Sequence, residues 1–565
     1  MSLETIRNPD GLIEAVFHGE GRRPPLLTAG VLAALEELVA AAESKPPAGL
    51  IFRADGEGDF QAGVNLEAMA EVRTAEEARA ASRTVQLLYE RIARLSCPVV
   101  AAVSGRCLGG GTELILACHA RLATDDTSTA IALPEINLGL IPGYGGTQRL
   151  PRIVGQQAAL NMILTGNPVG ARKALETGLV DRLAPPGQLR ETATELVHDL
   201  QAGRAARLEP RPRLTPTDWM LERTRRGRRL VRERYARVTR RRTGGHYPAP
   251  EMAIEAIGLA AEKTPLERGL EREAEMIAEL MAGEVHPHLL GLLRARQALR
   301  RPRGTDPESG EPSDLAAGFD PPAELTASLR RIMETAPWPA EADRRTGLPA
   351  RPGCGVLRRL PRALPPTTVE IAWAGDGEPA GFPDTARHLI AAAGMTPLFT
   401  RSIDTSPGLA LLAAYLREGD RLWSEGWEKD RVDEILQAWG MKYGPFALAE
   451  ALGEPWLAQL DDLPQRPVPE PLEGGTAPTG NRATDKNEAG LIEEVIAALW
   501  LEMERLHGQV AEPVAEGWLV LDVFVLGGPA FRGGLAGAAR LLGRASLTAR
   551  LDELARRYGA PYCRN

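Results

Sequence analysis

Two glutamates and a run of three glycines are the residues of this chain whose types and spacing could perform chemistry. Gly109–Gly111 follow an apolar stretch and precede a helical pattern that we expect to begin near Thr112, with Glu113 in its first turn. A helix N-terminus offers unpaired N–H groups and the positive end of a dipole. Because glycine has no Cβ, a ligand can approach the backbone closely. The segment could therefore hold an oxygen that becomes negative during a reaction.

Two further segments could complete such a site. Ala62-Gly63 allows a second close backbone approach, and Leu133-Pro134 places Glu135 on a rigid turn ahead of the glycine-rich Pro142–Gly146. Two carboxylates and two backbone donors suit the addition or removal of water next to a carbonyl. Alone, a glycine triplet is usually a turn and a single glutamate is usually solvated. Their combination in this order favours a catalytic site.

The elements around these residues alternate in type along residues 1–190. Leu50–Arg53 and Val99–Val103 are apolar runs of strand length, while Val31–Ala42 and Thr74–Leu95 carry apolar residues at helical spacing. This alternation is typical of an α/β domain with buried parallel strands.

The middle of the chain changes in composition. Arg204–Arg242 holds 15 Arg, which predicts either a solvated helix face or contacts with the phosphates of a ligand. Helical patterns continue through Ala253–Arg300. From Pro302 to Pro366 the sequence is irregular around a short helix predicted at Ala323–Thr335.

An internal repeat marks the last quarter of the chain. Glu418 and Arg421 recur at a fixed offset as Glu502 and Arg505, and several further pairs keep that offset. A repeat of this kind predicts two similar helical units.

Composition limits the function classes. With 565 residues we expect about three to four domains. A net charge of −8 argues against nucleic-acid binding. The five Cys form no C-x-x-C pair, which argues against a disulfide scaffold and a cysteine-based zinc site, and we expect no metal. Without a signal pattern or a long apolar run, we expect no transmembrane segment and a cytoplasmic location.

At the candidate site the sequence resembles the crotonase (enoyl-CoA hydratase/isomerase) superfamily. The shared motifs are F-x-A-G-x-[DN]-L at Phe60–Leu66, G-G-G-x-E-L at Gly109–Leu114 and P-E-x-x-L-G at Pro134–Gly139. Longer segments within 97–185, and the helix His246–Ile257, resemble the multifunctional α chains of fatty-acid β-oxidation complexes, which join an enoyl-CoA hydratase to a 3-hydroxyacyl-CoA dehydrogenase.

The resemblance implies a role for each matched residue. Glu113 and Glu135 match the catalytic pair, and Val64 and Gly110 match the two backbone donors to the thioester oxygen. Asn65 departs from the usual Asp of the motif. No cofactor is implied for hydration, because the CoA thioester is itself the substrate. The supporting positions are Ala62, Gly63, Gly109, Gly111, Pro142 and Gly143.

The dehydrogenase half of these α chains has only a shortened counterpart here. The segment between Arg300 and Leu409 is too short for a full Rossmann domain, and Gly375–Ala380 is a weak nucleotide fingerprint carrying two acidic residues. No His occurs between His288 and His388, so the catalytic His of the dehydrogenase is missing. We therefore predict that NAD binding and dehydrogenase activity are lost.

The resemblance also implies an architecture and partners. We expect a crotonase-type α/β spiral domain, then linker helices, a reduced Rossmann remnant, and an all-α C-terminal domain of two related units. The predicted function is hydration of trans-2-enoyl-CoA to 3-hydroxyacyl-CoA. Alternatives are Δ3-Δ2-enoyl-CoA isomerisation, a bifunctional hydratase/dehydrogenase, and a scaffold that docks a thiolase β subunit; a homo-oligomer is also open. The predicted segments are 1–190 (core), 191–300 (basic linker and helices), 301–405 (remnant), 406–462 (first helical unit), 463–487 (linker) and 488–565 (second helical unit).

Overall fold

The chain forms two compact units, residues 1–242 with 247–287, and residues 243–246 with 288–565. The computed structural model describes residues 2–20, 24–56, 58–61, 63, 69, 71–72, 74–204, 220–222, 224–243, 247–283, 285–300, 355–359, 368–373, 396–400, 406–441, 443–453, 457, 460, 468, 488–506, 542–559 and 562. The predicted helix Ala323–Thr335 and the fingerprint Gly375–Ala380 lie outside these residues, as does nearly all of the linker 463–487.

A six-stranded sheet forms the centre of the first unit, in the order β1-β2-β3-β4-β6-β8. Only the β1–β2 pair is antiparallel among its described pairs. Alternate residues of the central strands face opposite layers: Phe52 and Ala101 face the main core, whereas Ile51 and Val100 face the helix Leu189–Gln201. The strands are β1 (Ser2–Arg7), β2 (Leu12–His18), β3 (Gly49–Ala54), β4 (Val99–Val103), β6 (Ala120–Thr124) and β8 (Arg182–Ala184).

Helices cover both faces of this sheet. Helix α2 begins with a capping box, in which the Thr74 side chain accepts from the Glu77 amide and the Glu77 carboxylate accepts from the Thr74 amide. The helices of this unit are α1 (Ala29–Ser44), α2 (Ala75–Arg94), α3 (Gly110–Ala117), α4 (Gly146–Val154), α5 (Gln156–Thr165), α6 (Ala171–Thr177), α7 (Leu189–Gln201), α8 (Arg225–Thr243), α9 (Pro248–Ala261) and α10 (Leu266–Ala282); α11 (Val285–Arg300) begins in this unit.

A second, two-stranded parallel sheet positions the candidate site. Strand β5 (Arg106–Leu108) pairs with β7 (Ala130–Ala132), and Leu108 lies opposite Ala132. The carboxyl ends of parallel strands meet at one edge. The glycine triplet follows β5 and the Glu135 turn follows β7, so the topology brings both predicted carboxylates to the same edge.

Several predicted elements are confirmed, with shifted ends. The strand predicted at Val99–Val103 and the helix predicted at Thr74–Leu95 are both present. Helix α3 begins at Gly110 rather than near Thr112, because Gly109 adopts a φ of 55° that only glycine adopts readily, and so allows the earlier start. Part of the arginine-rich stretch is helix α8, where Arg232 and Arg240 form ion pairs with Glu262 and Glu251.

The second unit contains a small sheet and helices. Strand β10 (Thr368–Trp373) pairs parallel with β11 (Thr396–Thr400) and antiparallel with β9 (Gly355–Arg359). Helices α12 (Pro407–Ser424) and α15 (Glu488–Leu506) carry corresponding parts of the repeat, and Glu418 and Glu502 are buried in them. The remaining described helices are α13 (Lys429–Trp439), α14 (Pro445–Leu452) and α16 (Arg544–Tyr558).

Candidate active site

Glu113 is buried in the first turn of α3, and two backbone amides hold it in place. Its Oε1 accepts from the amides of Tyr144 and Gly146, each at 2.7 Å. These amides lie where the loop after the Glu135 turn enters α4. The N-terminus of a second helix therefore binds the carboxylate that α3 presents.

Glu135 begins a short 3-10 turn, Glu135–Leu138, directly after β7. The residue is partly exposed, but its Oε2 is buried and has no hydrogen-bond partner among the residues that the structure describes. Its Oε1 lies 2.9 Å from the position that a Cβ on Gly109 would occupy. The carboxylate thus lies against the glycine triplet, and its second oxygen remains available as an acceptor or as a proton carrier.

Tyr247, the N-cap residue of α9, and His286 on α11 hold this turn. The Tyr247 hydroxyl accepts from the Gly139 amide at 3.1 Å and donates to the Ile136 carbonyl. His286 Nδ1 lies 2.8 Å from the Leu138 carbonyl oxygen. These contacts fix the backbone on which Glu135 is mounted.

The glycine triplet has the geometry expected of a backbone donor site. Gly110 is the first residue of α3, and the first N–H groups of a helix have no acceptor within it. The Gly63 Cα lies 3.7 Å from the position that a Cβ on Gly109 would occupy, so the loop before Val64 reaches the triplet. Val64 and Ala62 themselves lie outside the described residues. Their predicted roles remain predictions.

The other predicted supporting residues lie around the same point. A Cβ on Gly111 would come within 2.7 Å of the Gln61 side chain, so close packing requires glycine there. The Gly143 carbonyl accepts from the Ser82 hydroxyl at 2.5 Å and from Gln86 Nε2 at 3.1 Å. Pro142 is buried beside Gly146.

A third buried carboxylate, Glu273 on α10, is part of the site and was not predicted. Its Oε1 accepts from the Gly145 amide at 2.6 Å and from Gln86 Nε2 at 3.0 Å. Its Oε2 accepts from the amide and the hydroxyl of Thr147, at 3.0 and 2.5 Å. The sequence did carry one signal for it: Glu273 is a charged residue on a helical stripe whose other members, among them Leu270, Ala274 and Ile277, are apolar.

Burial and mutual repulsion raise the pKa of all three carboxyls. Burial, followed by the charges of Glu135 and Glu273, raises the pKa of Glu113 well above its usual range, against the opposing effect of its two amide donors. Burial, followed by the charge of Glu273, raises the pKa of Glu135 to about 7. Burial also raises the pKa of Glu273 to about 7, although its hydrogen bonds and Arg149 lower it. At neutral pH the cluster therefore holds both protonated and ionised carboxyls, as acid–base chemistry requires.

Within the described part of the chain, no group of three or more His, Cys, Asp or Glu side chains could hold a metal ion. Among the same residues, no helix is long and apolar enough to span a membrane. The groups available for chemistry in this site are carboxylates and backbone amides.

Comparison with known proteins shows a family match over the first unit. Residues 26–209 match the enoyl-CoA hydratase/isomerase family. The chain is 39% identical over 256 residues to the fatty acid oxidation complex subunit alpha of Shewanella loihica, covering 45% of this chain and 35% of that protein. It is 34% identical over 307 residues to the subunit of the same name from Shewanella putrefaciens, covering 54% of this chain and 42% of that protein. The chain thus spans well under half the length of these curated relatives.

Solved structures of similar proteins include an enoyl-CoA hydratase and an enoyl-CoA hydratase/isomerase. An enoyl-CoA hydratase from Bacillus anthracis is 27% identical, covers 47% of this chain and 90% of its own, and has a TM-score of 0.33. An enoyl-CoA hydratase/isomerase from Xanthobacter autotrophicus is 23% identical, covers 52% and 93%, and has a TM-score of 0.38. The family match over residues 26–209 confirms the resemblance predicted from the motifs.

Proposed function

We propose that the chain hydrates trans-2-enoyl-CoA to 3-hydroxyacyl-CoA, from the premise that residues 26–209 match the enoyl-CoA hydratase/isomerase family. The observation that carries the proposal is that the carboxylates of Glu113 and Glu135 lie at one sheet edge. Glu113 is held there by two amides, and Glu135 lies against Gly109 with a buried oxygen to which no described residue donates. Water adds its oxygen to C3 of the substrate and a proton to C2.

The hydrogen bonds divide the two roles. Two N–H donors on Oε1 favour the ionised form of Glu113 and oppose the effect of burial on its pKa, so we assign this carboxylate to accept the proton of the attacking water. No described residue donates to the buried Oε2 of Glu135, so the protonated form is favoured there and supplies the proton to C2. The amide of Gly110, with that of Val64, binds the thioester oxygen as it becomes enolate-like.

Exchange of each carboxyl for an amide tests this assignment. Glu113→Gln and Glu135→Gln should each lower kcat on crotonyl-CoA by orders of magnitude, about 10²–10⁴-fold, while KM changes little. Glu271→Gln is the control, because Glu271 lies on α10 in an exposed ion pair with Arg79. Wild-type turnover in both site variants would exclude the proposal.

Retention of both glutamates favours hydration over Δ3-Δ2 isomerisation, which uses the same enolate chemistry. Parallel assays of the purified chain on trans-2-enoyl-CoA and on cis-3-enoyl-CoA separate the two. Hydration should be much the faster reaction, and equal or faster isomerisation would reverse the assignment. Substrates of several chain lengths in the same assay define the acyl preference.

We further propose that the chain binds a partner subunit and does not oxidise the hydroxyacyl product. The support for a partner is that the curated relatives are named as subunits of a fatty acid oxidation complex. Co-purification with a thiolase would support docking, and a fully active isolated monomer would argue against it. NADH titration should give no fluorescence change, whereas saturable binding would restore the bifunctional alternative. The cytoplasmic location stays a prediction.

A further inference from the structure

The four amides from Tyr144 to Thr147 are held by two carboxylates in strict alternation. Glu113 accepts from Tyr144 and Gly146, and Glu273 accepts from Gly145 and Thr147. We name residues 144–147 the amide turn. We propose that Glu273 is a positioning residue that fixes the amide turn and thereby sets the place of the Glu113 carboxylate. The inference rests on the proposed function, since it concerns the same reaction.

Glu273 replaces a helix cap that the chain lacks locally. Helix α4 has Gly145 at its N-cap position, so no side chain is present to bind the free amides of the first turn. A side chain there has no space, because a Cβ on Gly145 would lie 1.8 Å from Arg149 Nη1. The Glu273 carboxylate, which comes from a different helix, binds the Gly145 and Thr147 amides instead.

Glu273 is itself fixed from several sides. It is fully buried, and Gln86 on α2 donates both to its Oε1 and to the Gly143 carbonyl, just before the amide turn. The Thr147 hydroxyl donates to its Oε2. With four donors on two oxygens, this carboxylate has little freedom to move. It therefore serves as the fixed point against which the amide turn is held.

Because the amides of the amide turn bind Glu113 and Glu273 in alternation, the positions of these two carboxylates depend on each other. Successive amides of one short turn are joined through planar peptide units, so a shift of one amide displaces its neighbours. A rotation of the turn that brings the Gly145 and Thr147 amides away from Glu273 also displaces the Tyr144 and Gly146 amides that hold Glu113. Loss of Glu273 should therefore misplace the base without touching Gly110 or the acyl-CoA binding surface.

The charges of the cluster provide a second measurable effect of Glu273 on Glu113, namely a shift in the pH profile of kcat. Glu113, Glu135 and Arg149 face Glu273, and Arg149 Nη1 also donates to the Tyr144 carbonyl at 2.9 Å. The negative charge of Glu273 raises the pKa of the Glu113 and Glu135 carboxyls. Its removal should lower those pKa values, so the acidic limb of the kcat profile should move to lower pH.

Glu273 lies outside the family match of residues 26–209. If it positions Glu113, the catalytic geometry of the matched domain depends on helix α10, which follows it in the chain. This is a role for one side chain of α10, beyond packing of its apolar stripe.

A double-mutant cycle on the full chain tests positioning. Glu273→Gln should lower kcat on crotonyl-CoA about 10²-fold with KM nearly unchanged, because a base displaced by about 1 Å costs on this order. In a Glu113→Gln background the same change should cost less than about threefold, because the group that Glu273 positions is already gone. Glu271→Gln on the same helix is the matched control and should leave kcat unchanged relative to its parent, the wild type or Glu113→Gln, in each background.

The outcomes separate this inference from the proposed function. If Glu113→Gln keeps wild-type turnover, the proposed function fails. If Glu113→Gln is inactive but Glu273→Gln is fully active, the positioning role of Glu273 is overturned. The same holds if Glu273→Gln lowers kcat by the same factor in both backgrounds and leaves the pH profile unshifted. If Glu273→Gln does not fold, Thr147→Val decides, because it removes the hydroxyl donor to Glu273 while Gln148 Nε2, which also donates to that hydroxyl, keeps its bond to the Ala256 carbonyl. A several-fold lower kcat supports the inference, and an unchanged kcat excludes it.

Discussion

The Gly146 backbone amide and the Glu113 carboxylate are in direct contact at the entrance of helix α4. The Gly146 amide donates to Glu113 Oε1 at 2.7 Å, and a Cβ on the same residue would lie 2.9 Å from that oxygen and 2.7 Å from the Pro142 Cβ. Glycine therefore supplies a donor to the carboxylate without placing a side chain beside it. The contact explains in physical terms why a glycine follows Gly145 here.

Gly146→Ala should lower both activity and stability. The added methyl group must displace Glu113 or Pro142, and overpacking of this kind costs about 1–3 kcal/mol. Displacement of the carboxylate should lower kcat on crotonyl-CoA about 10²-fold. Steady-state kinetics and urea unfolding measure the two effects. Gly30→Ala is the control, because Gly30 is exposed in α1 and its nearest contact would be at 3.9 Å; it should leave kcat unchanged.

Tyr247→Phe should weaken catalysis through Glu135. The change removes both hydrogen bonds that the hydroxyl makes to the Glu135–Leu138 turn and its end, at Ile136 and Gly139. We expect a loss of about 1–3 kcal/mol in the free energy of unfolding and a several-fold lower kcat. Tyr235→Phe on α8 is the matched control, since no hydrogen bond of the Tyr235 hydroxyl is found among the described residues. Equal kinetics for the two variants would contradict the role of Tyr247.

Local sequence was sufficient for one half of the site. Gly110 and Glu113 follow a strand and open a helix within a few residues, and Glu135 lies on a short turn, so each could be predicted from its neighbours. The strand Val99–Val103 could be predicted because all its residues are apolar, and the structure shows that all of them are buried. Strands β5 and β7, which bring the two glutamates to one edge, have three residues each, too few for a periodic pattern.

The rest of the candidate site is formed by contacts between residues that are distant in sequence. Glu273 meets the Gly145 amide from 128 residues further along the chain, and no local pattern specifies that distance. Only the tertiary structure shows that the glutamate on the apolar stripe of α10 accepts hydrogen bonds from Gln86, Gly145 and Thr147. The sequence also does not predict that α3 begins at Gly110, because the residue type of Gly109 does not by itself specify its backbone conformation.

The apparent pKa values in the pH profile of hydration should be closer to neutral pH than the pKa values of ordinary carboxyl groups. The ionised base is lost as pH falls through its raised pKa, and the protonated acid is lost as pH rises through its own. Since burial raises the pKa of Glu135 to about 7, kcat should follow a bell with limbs near neutral pH. A profile that stays flat from pH 5 to pH 9 would contradict this expectation.

The same raised pKa makes a stability prediction. The folded chain binds a proton on Glu135 more tightly than the unfolded chain does, so this group stabilises the fold at low pH. The contribution is lost as pH rises from the unfolded value of about 4.5 through the folded value of about 7. Glu135→Gln should therefore gain stability relative to the wild type as pH rises over this window. Urea unfolding of both proteins at pH 5 and pH 8 measures the difference, and parallel changes would exclude the shift.

In the second unit, Arg421→Met should be strongly destabilising. Arg421 is fully buried on α12 and bonds to Glu418 at 2.8 Å, Glu425 at 2.6 Å and Glu494 at 3.1 Å. Removal of the guanidinium takes one charge partner from each of these buried or nearly buried carboxylates and leaves Arg417 beside Glu418 and Arg557 beside Glu425 and Glu494. Breaking a buried ion-pair network in this way costs up to about 3–5 kcal/mol. Arg431→Met is the matched control, because Arg431 makes ion pairs with Glu434 and Glu488 while half exposed, and such pairs contribute about 0–1 kcal/mol. Chemical unfolding followed by circular dichroism should show an early loss of helix for Arg421→Met alone. Comparable unfolding of the two variants would mean that the buried cluster contributes no more than a surface pair.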